Sequence, residues 1–282
     1  MIGLTSLALV ASFSLGVSDF LGGLLSRTVK LVTVLLISQV VGTFAFLPRL
    51  LFESPFKDGW AALPWGVVGG LATAIAVAAL FRALAIGTMG VVAPITSLGV
   101  VVPALAGIIR GDELTFVMGL GLLIAIVGTV LSSGLEIRGR SEVATRSVVL
   151  AAVAALGFGV ANLSVALGSV HNVTTTLLSD SLVVTVIYAI AALVLRTAPV
   201  ATGWPLAGIV VIGLLGISAN LCFALATRAG DLSVVAVLAS VYPVVTVLLG
   251  WRIFKERLHP LQIVGVSATF LGIAMLVATS GR

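Results

Sequence analysis

Residues 136–146 read Glu-Ile-Arg-Gly-Arg-Ser-Glu-Val-Ala-Thr-Arg, the most charged segment of a chain that is otherwise strongly apolar. Only 9% of the 282 residues are charged and 60% are hydrophobic, whereas soluble domains carry roughly 25% charged residues. So few charges cannot cover a surface that faces water. We therefore predict that this segment is a loop dividing an integral membrane protein into two halves.

Apolar runs on both sides of the loop are long enough to cross a bilayer, which takes about 20 residues per helix. Five runs precede the loop and five follow it. They predict helices near Leu4–Leu25, Leu31–Phe52, Trp60–Leu84, Val91–Ile109, Leu114–Ser133, Ser147–Val170, Thr174–Leu195, Pro205–Ala226, Leu232–Phe254 and Leu258–Ala278. The predicted fold is all-α, with ten transmembrane helices in a multi-pass protein of the cell (inner) membrane.

The two halves resemble each other at an offset of 141–144 residues. Leu15–Asp19 aligns with Phe158–Asn162, and Leu35–Gln39 aligns with Leu177–Ser181. We therefore assign residues 1–135 to a first five-helix repeat, 136–146 to a charged linker and 147–282 to a second repeat. Because each repeat has an odd number of helices, the second must enter the membrane from the opposite side. Inverted repeats with a binding site between them are a recurring architecture of transporters.

A similar block of residues closes each half. The first copy is Ala83-Leu84-Ala85, Val91-Val92-Ala93-Pro94, Pro103, Gly111-Asp112-Glu113-Leu114, Gly121 and Gly128. The second is Ala224-Leu225-Ala226, Tyr242-Pro243, Glu256-Arg257-Leu258, Gly265 and Gly272. A proline-bearing helix, an acidic residue with Leu and a helix with spaced glycines resemble the drug/metabolite transporter superfamily, specifically its ten-helix EamA-type members.

This resemblance implies a solute exporter or importer that works by alternating access, often for amino acids, metabolites or amphiphilic drugs. It brings no catalytic residues with it. The sequence departs from the family pattern at Pro103, which lies nearer the acidic residue than Pro243 does. The equivalence of the two proline-bearing helices is therefore left open.

Two carboxyl groups fall inside predicted helices, where ionisable residues are costly and mark functional sites by default. Asp19 aligns with Asn162, and Asp180 aligns with Ser38. Inverted repeats would bring these four residues to a common polar cavity. Asp19 is then a candidate proton acceptor linked to transport. The alternative for either acid is a solvated position near a helix end.

Other polar residues in the helices are candidates for binding a solute. Gln39, Asn220, Ser240 and Tyr242 either contact the solute or pack and hydrogen-bond between helices. Pro94, Pro103 and Pro243 are candidate helix breaks, since proline removes one backbone hydrogen bond and frees a carbonyl. Each is either a solute or gating site or a tolerated kink. No metal site is expected, because neither histidine has a second ligand at helical spacing, and no cofactor is expected.

The formal net charge of +5 comes from Lys and Arg scattered between apolar runs, which is typical of helix-end anchors and not of a nucleic-acid surface. The expected partners are the bilayer, a small solute and, as a candidate coupling ion, the proton. With no cation predicted at membrane depth, a strongly anionic solute is disfavoured against neutral, zwitterionic or cationic amphiphiles. The count of positive residues places the termini outside, whereas the resemblance places them inside, so orientation stays open.

The predicted function is secondary transport of a small metabolite or amphiphilic solute. A receptor or assembly factor is an alternative, although it would be expected to carry a soluble docking segment. An intramembrane enzyme is a further alternative and would require Asp19 and Asp180 to form a catalytic pair, since no other catalytic motif is present. The solute, the direction of transport and the oligomeric state are left open.

Overall fold

A computed structural model describes residues 2–53, 60–103, 106, 116–117, 119–121, 123–124, 127–128, 131, 142–229, 242–255 and 260–279. These residues form helices and connections, with no strand among them. The helices are α1 (Ile2–Leu25), α2 (Leu31–Phe46), α3 (Leu63–Ile86), α4 (Met89–Ser97), α5 (Glu142–His171), α6 (Val173–Val194), α7 (Trp204–Ala229), α8 (Tyr242–Phe254) and α9 (Pro260–Thr279). Described residues between 116 and 131 are also helical, so every one of the ten predicted segments contains helix.

Helix ends differ from the prediction where proline or charge intervenes. Helix α2 gives way to a 3-10 turn over Leu47–Leu51, because Pro48 has no N–H to continue the α-helical ladder. Helix α4 likewise passes into a 3-10 turn at Leu98, shortly after Pro94. Helix α5 begins at Glu142, earlier than predicted, and the Glu142–Arg146 ion pair lies along its first turns.

The helix surfaces identify lipid as the solvent. Five helices in the described part of the chain are long and apolar enough to cross a membrane, and others are shorter but equally apolar. On α3, Val68, Leu71 and Ile75 form one exposed stripe, whereas Gly66 and Gly70 are buried on the opposite face. An exposed apolar stripe is unfavourable in water and is stable in hydrocarbon. The protein is an integral, multi-pass membrane protein.

The two halves run in opposite directions through the membrane. We call the face where α1 ends the Leu25 side and the face where it begins the Ile2 side. A methyl group on Gly23 would contact Leu84, so α3 also ends on the Leu25 side. Gly87, just after α3, packs against Ser147 near the start of α5. The first helix of the second half therefore starts where the first helix of the first half ends, which confirms inverted repeats.

Equivalent glycines make the same close contact in both halves. A methyl group on Gly70 would lie 2.7 Å from the Asp180 carbonyl oxygen, and one on Gly213 would collide with the Ser38 carbonyl oxygen. Gly213 corresponds to Gly70, and Asp180 corresponds to Ser38, at the offset seen in the sequence. Glycine lets membrane helices approach at such points. The symmetry therefore extends to atomic packing.

The axis that relates the halves passes between α2 and α6. Gln39 Nε2 donates to the Ser181 carbonyl oxygen at 3.3 Å, and the Thr43 and Thr185 hydroxyls are 3.2 Å apart. Each of these contacts joins a residue to its own equivalent in the other half. Two symmetry-related residues can touch only close to the axis, so the centre of the molecule lies here.

Candidate functional site

A cavity of about 100 Å³ lies between the two halves at this centre. Three helices from each half line it, namely α1–α3 and α5–α7. Its lining residues are Leu15, Ser18, Asp19, Ser38, Gln39, Gly42, Thr73, Val77, Phe81, Phe158, Ala161, Asn162, Val165, Asp180, Ser181, Ile212, Gly213, Gly216, Ile217 and Asn220.

Most of the lining consists of equivalent pairs of residues. The pairs are Leu15 with Phe158, Ser18 with Ala161, Asp19 with Asn162, Ser38 with Asp180, Gln39 with Ser181, Thr73 with Gly216, and Val77 with Asn220. Both repeats therefore present the same positions to the cavity. Their side chains differ, and each carboxylate corresponds to a neutral residue at the equivalent position of the other half.

Six of the residues selected from the sequence meet in this cavity. They are Asp19, Ser38, Gln39, Asn162, Asp180 and Asn220. Tyr242 does not line it; its side chain lies near Asp19 and interacts with Thr96. Ser240 lies outside the described residues.

Asp180 is held by α3. The Thr73 hydroxyl donates to Asp180 Oδ1 at 3.1 Å, and the carboxylate is 4% exposed. Gly69 makes room for it, since a methyl group there would lie 3.1 Å from the same oxygen. Thr73 was not selected from the sequence, because a threonine in an apolar helix is common and gives no sign of which way it faces.

Asp19 has a different environment. It is 5% exposed and lines the cavity, yet it has no hydrogen-bond or ion-pair partner among the residues that the structure describes. The neighbouring Ser18 hydroxyl donates to the Ile212 carbonyl oxygen and so stays with the backbone of α7. The two acids are therefore inequivalent: a described donor fixes Asp180, whereas no described residue donates to Asp19.

Among the remaining polar lining residues, some hydrogen-bond to described residues and others do not. The Ser38 hydroxyl donates within its own helix to Leu35, and Gln39 is engaged with Ser181. Asn162 and Asn220 are exposed, and both lie toward the Ile2 ends of their helices. Their amides make no hydrogen bond to the described residues. The amide groups without a hydrogen bond to the described residues thus lie toward the Ile2 side.

The three prolines stand apart from the cavity. Pro94 lies inside α4, where the Ser97 hydroxyl donates to the Pro94 carbonyl oxygen and the Thr96 hydroxyl to that of Ala93. Pro103 belongs to the helical residues after the 3-10 turn, and Pro243 is the second residue of α8. None of the three lines the cavity. Near Pro94, these hydroxyls bond to backbone carbonyls of the same helix.

On the Leu25 side, described residues of α1, α3 and α8 and the residue Arg27 after α1 are in contact. Phe20 of α1 packs against Phe254 of α8, with ring centroids 5.7 Å apart and the rings tilted by 45°. The Arg27 guanidinium lies 4.0 Å from the centroid of the same Phe254 ring and donates to the Leu84 carbonyl oxygen at 3.2 Å. We call Phe20, Arg27, Leu84 and Phe254 the Leu25-side plug. It joins helices of both halves, and only contacts between distant segments reveal it.

The contacts on α7 predict a difference between two glycines of the cavity wall. A Gly213→Ala methyl would collide with the Ser38 carbonyl, whereas the nearest atom to a Gly216→Ala methyl is Ser18 Oγ at 4.0 Å. We expect Gly213→Ala to destabilise the protein by about 1–3 kcal/mol and Gly216→Ala to change it little. Thermal unfolding of both variants in detergent measures this. Equal midpoints would show that α2 and α7 do not pack this closely.

Comparison with known proteins identifies the family. No curated protein matches the chain. A protein of known crystal structure aligns over 99% of this chain and 95% of its own, with a TM-score of 0.67 and 18% sequence identity, which shows a shared fold. Residues 4–134 and 145–278 each match the model of the EamA-like transporter family, one match for each half. The chain therefore belongs to the EamA-like transporter family.

Proposed function

We propose that this protein is a secondary transporter that carries a small solute through the central cavity by alternating access. Membership of a transporter family supports a role in membrane transport. The observation that carries the mechanism is the cavity itself, which lies on the symmetry axis and is lined by the same positions of both inverted repeats. Transporters with inverted repeats bind their solute at this place. The cell (inner) membrane is the proposed location.

The packing suggests which side the cavity opens to. The exposed lining residues, Asn162 and Asn220, lie toward the Ile2 side. The opposite end is covered by the Leu25-side plug. We propose that the cavity is open to the Ile2 side in this structure. In the alternate state the halves would rock about the axis, separate Phe254 from Phe20 and Arg27, and close over the two asparagines.

The size of the cavity limits the solute. Its volume of about 100 Å³ is below the roughly 300–1,000 Å³ of pockets for drug-sized ligands. A small metabolite fits without further opening. A larger amphiphile would require the two halves to move apart first.

The arrangement favours transport over the alternatives. An aspartyl enzyme would require its two carboxylates to share a proton or a water. Asp180 is instead bonded to Thr73, and no hydrogen bond joins it to Asp19 in the described part of the chain. A receptor or assembly factor gives no reason for a polar cavity between symmetric halves. We therefore place both alternatives behind the transporter.

An uptake and resistance screen tests the proposal and identifies the solute. Cells that over-express the protein are compared with cells that lack it across a panel of small solutes, and the hits are repeated in proteoliposomes. We expect at least one solute whose flux depends on the protein. Purified protein that moves none of the hits faster than protein-free liposomes would overturn the proposal.

We further propose that Asp19 couples transport to protons. In proteoliposomes, an imposed pH gradient is expected to change the rate of solute flux by wild-type protein, and Asp19→Asn is expected to abolish this response. The control is Glu142→Gln, which makes the same change at an exposed acid at the start of α5. Should Asp19→Asn respond to the gradient as wild type does, Asp19 has no part in coupling.

A further inference from the structure

We infer that the cavity binds a small organic cation whose ammonium group pairs with Asp19. This inference rests on the proposed transport function and narrows its solute from several chemical classes to one. It is carried by the charge of the cavity, by the Asp19 carboxylate, to which no described residue donates, and by two aromatic rings in the same lining.

The charge of the cavity has one sign. Two of its lining residues are carboxylates, and among the described residues that line it none is Lys, Arg or His. A buried carboxylate without a partner is unfavourable in a low-dielectric environment. A cationic solute would supply the missing charge, whereas an anionic solute would add to the repulsion. We therefore expect the cavity to select solutes by their charge as well as by their shape.

Asp19 is the carboxylate that accepts no hydrogen bond from the described residues. Asp180 already accepts a hydrogen bond from Thr73, which uses part of its capacity and fixes its direction. Asp19 is 95% buried, since only 5% of its surface is exposed, and no described residue donates to it. An ammonium group would compensate this carboxylate by its charge, with or without N–H donors. We therefore assign the charged contact to Asp19 and a longer-range attraction to Asp180.

Aromatic rings distinguish an organic cation from a metal ion. Phe81 and Phe158 line the same cavity, and a methyl group on Gly22 would collide with the Phe81 ring, so this ring is packed against α1. Ring faces attract alkylammonium groups through cation–π contacts. A metal ion such as Na⁺ would need several oxygen ligands at once. The mixture of carboxylate and phenyl groups fits an ammonium group with carbon substituents.

A matched pair of probes tests the charge requirement. Choline and its uncharged carbon analogue 3,3-dimethylbutan-1-ol have nearly the same shape and size. Binding to the purified full-length protein is measured by calorimetry at constant ionic strength, with NaCl as the salt. We expect choline to bind saturably and the alcohol to bind at least tenfold more weakly. Exchanging the NaCl for KCl at the same ionic strength is expected to leave choline binding unchanged.

Variants then assign the contact to Asp19. Asp19→Asn is expected to weaken choline binding at least tenfold and to leave the alcohol unchanged. Asp19→Glu keeps the charge and is expected to retain the preference for choline, which excludes misfolding as the cause of the loss. Glu142→Gln is the control for removing an acid outside the cavity. Equal affinity for the two probes, no saturable choline binding, or full choline affinity in Asp19→Asn would overturn the inference.

The outcome is separable from that of the transport proposal. Protein-dependent flux of a neutral solute, undiminished in Asp19→Asn, would leave the transporter in place and remove the cation site. Choline binding that depends on Asp19, in a protein that moves no solute, would keep the cation site and remove the transporter.

Discussion

A Gly216→Phe variant is expected to fold like the wild-type protein and to carry its solute at least about tenfold more slowly, which corresponds to about 1.4 kcal/mol or more in the barrier. Gly216 lines the cavity, and the nearest atom to a methyl group built there is Ser18 Oγ at 4.0 Å. The backbone therefore tolerates a Cβ at this position, and we expect the phenyl ring to project into the cavity. Because the cavity holds only about 100 Å³, the ring leaves little room for a solute.

The control for this variant is Leu71→Phe, which adds the same ring on the lipid-facing stripe of α3, where Leu71 is 49% exposed. We expect wild-type flux from it. Flux is measured in proteoliposomes with a solute found by the uptake screen, and thermal unfolding shows whether both variants are folded. Undiminished flux through Gly216→Phe would mean that the solute crosses by another route.

The membrane fold and the polar centre could be predicted from the sequence because both depend on local composition. Apolar runs of about 20 residues mark spanning helices, and a carboxyl group inside such a run is conspicuous. In the alignment of the two halves, Asp19 corresponds to Asn162 and Asp180 corresponds to Ser38. The structure places all four on the wall of one cavity, and what they do there stays a proposal.

The contacts that shape the site could not be predicted, because a hydropathy pattern does not fix how a membrane helix is rotated about its axis. Thr73 is one threonine among many, and only the packing of α3 on α6 directs it to Asp180. Arg27 was interpreted as a helix-end charge, yet it packs on a phenylalanine from the other half. Such contacts join residues far apart in the chain and leave no trace in either segment alone.

Helix ends were mispredicted for a related reason. The early start of α5 lies in a charged stretch that hydropathy assigns to a loop. Glu142 and Arg146 are one turn apart and pair on the helix surface, a spacing that favours helix in water. The helix therefore extends beyond its apolar part, and polarity marks the edge of the hydrocarbon and not the end of the helix.

Locking the Leu25-side plug is expected to stop transport almost completely. The Phe20 and Phe254 rings are in contact, and alternating access requires α1 and α8 to separate there. Cysteines at both positions can be joined by a short, reducible bis-methanethiosulfonate cross-linker. Cys222 is the only cysteine of the chain, so Cys222→Ser provides a clean background, and each single-cysteine variant controls for the reagent itself.

The most direct test of a carrier that opens to its two sides in turn measures solute flux in three states of this variant. The states are before cross-linking, after cross-linking and after reduction of the cross-link. We predict flux in the reduced double-cysteine protein, near-complete loss on cross-linking, recovery on reduction and no loss in the single-cysteine variants. The contradicting result would be a cross-linked protein that carries solute as fast as the unlinked protein does. The two cysteines introduced by Phe20→Cys and Phe254→Cys must still be joined in that measurement.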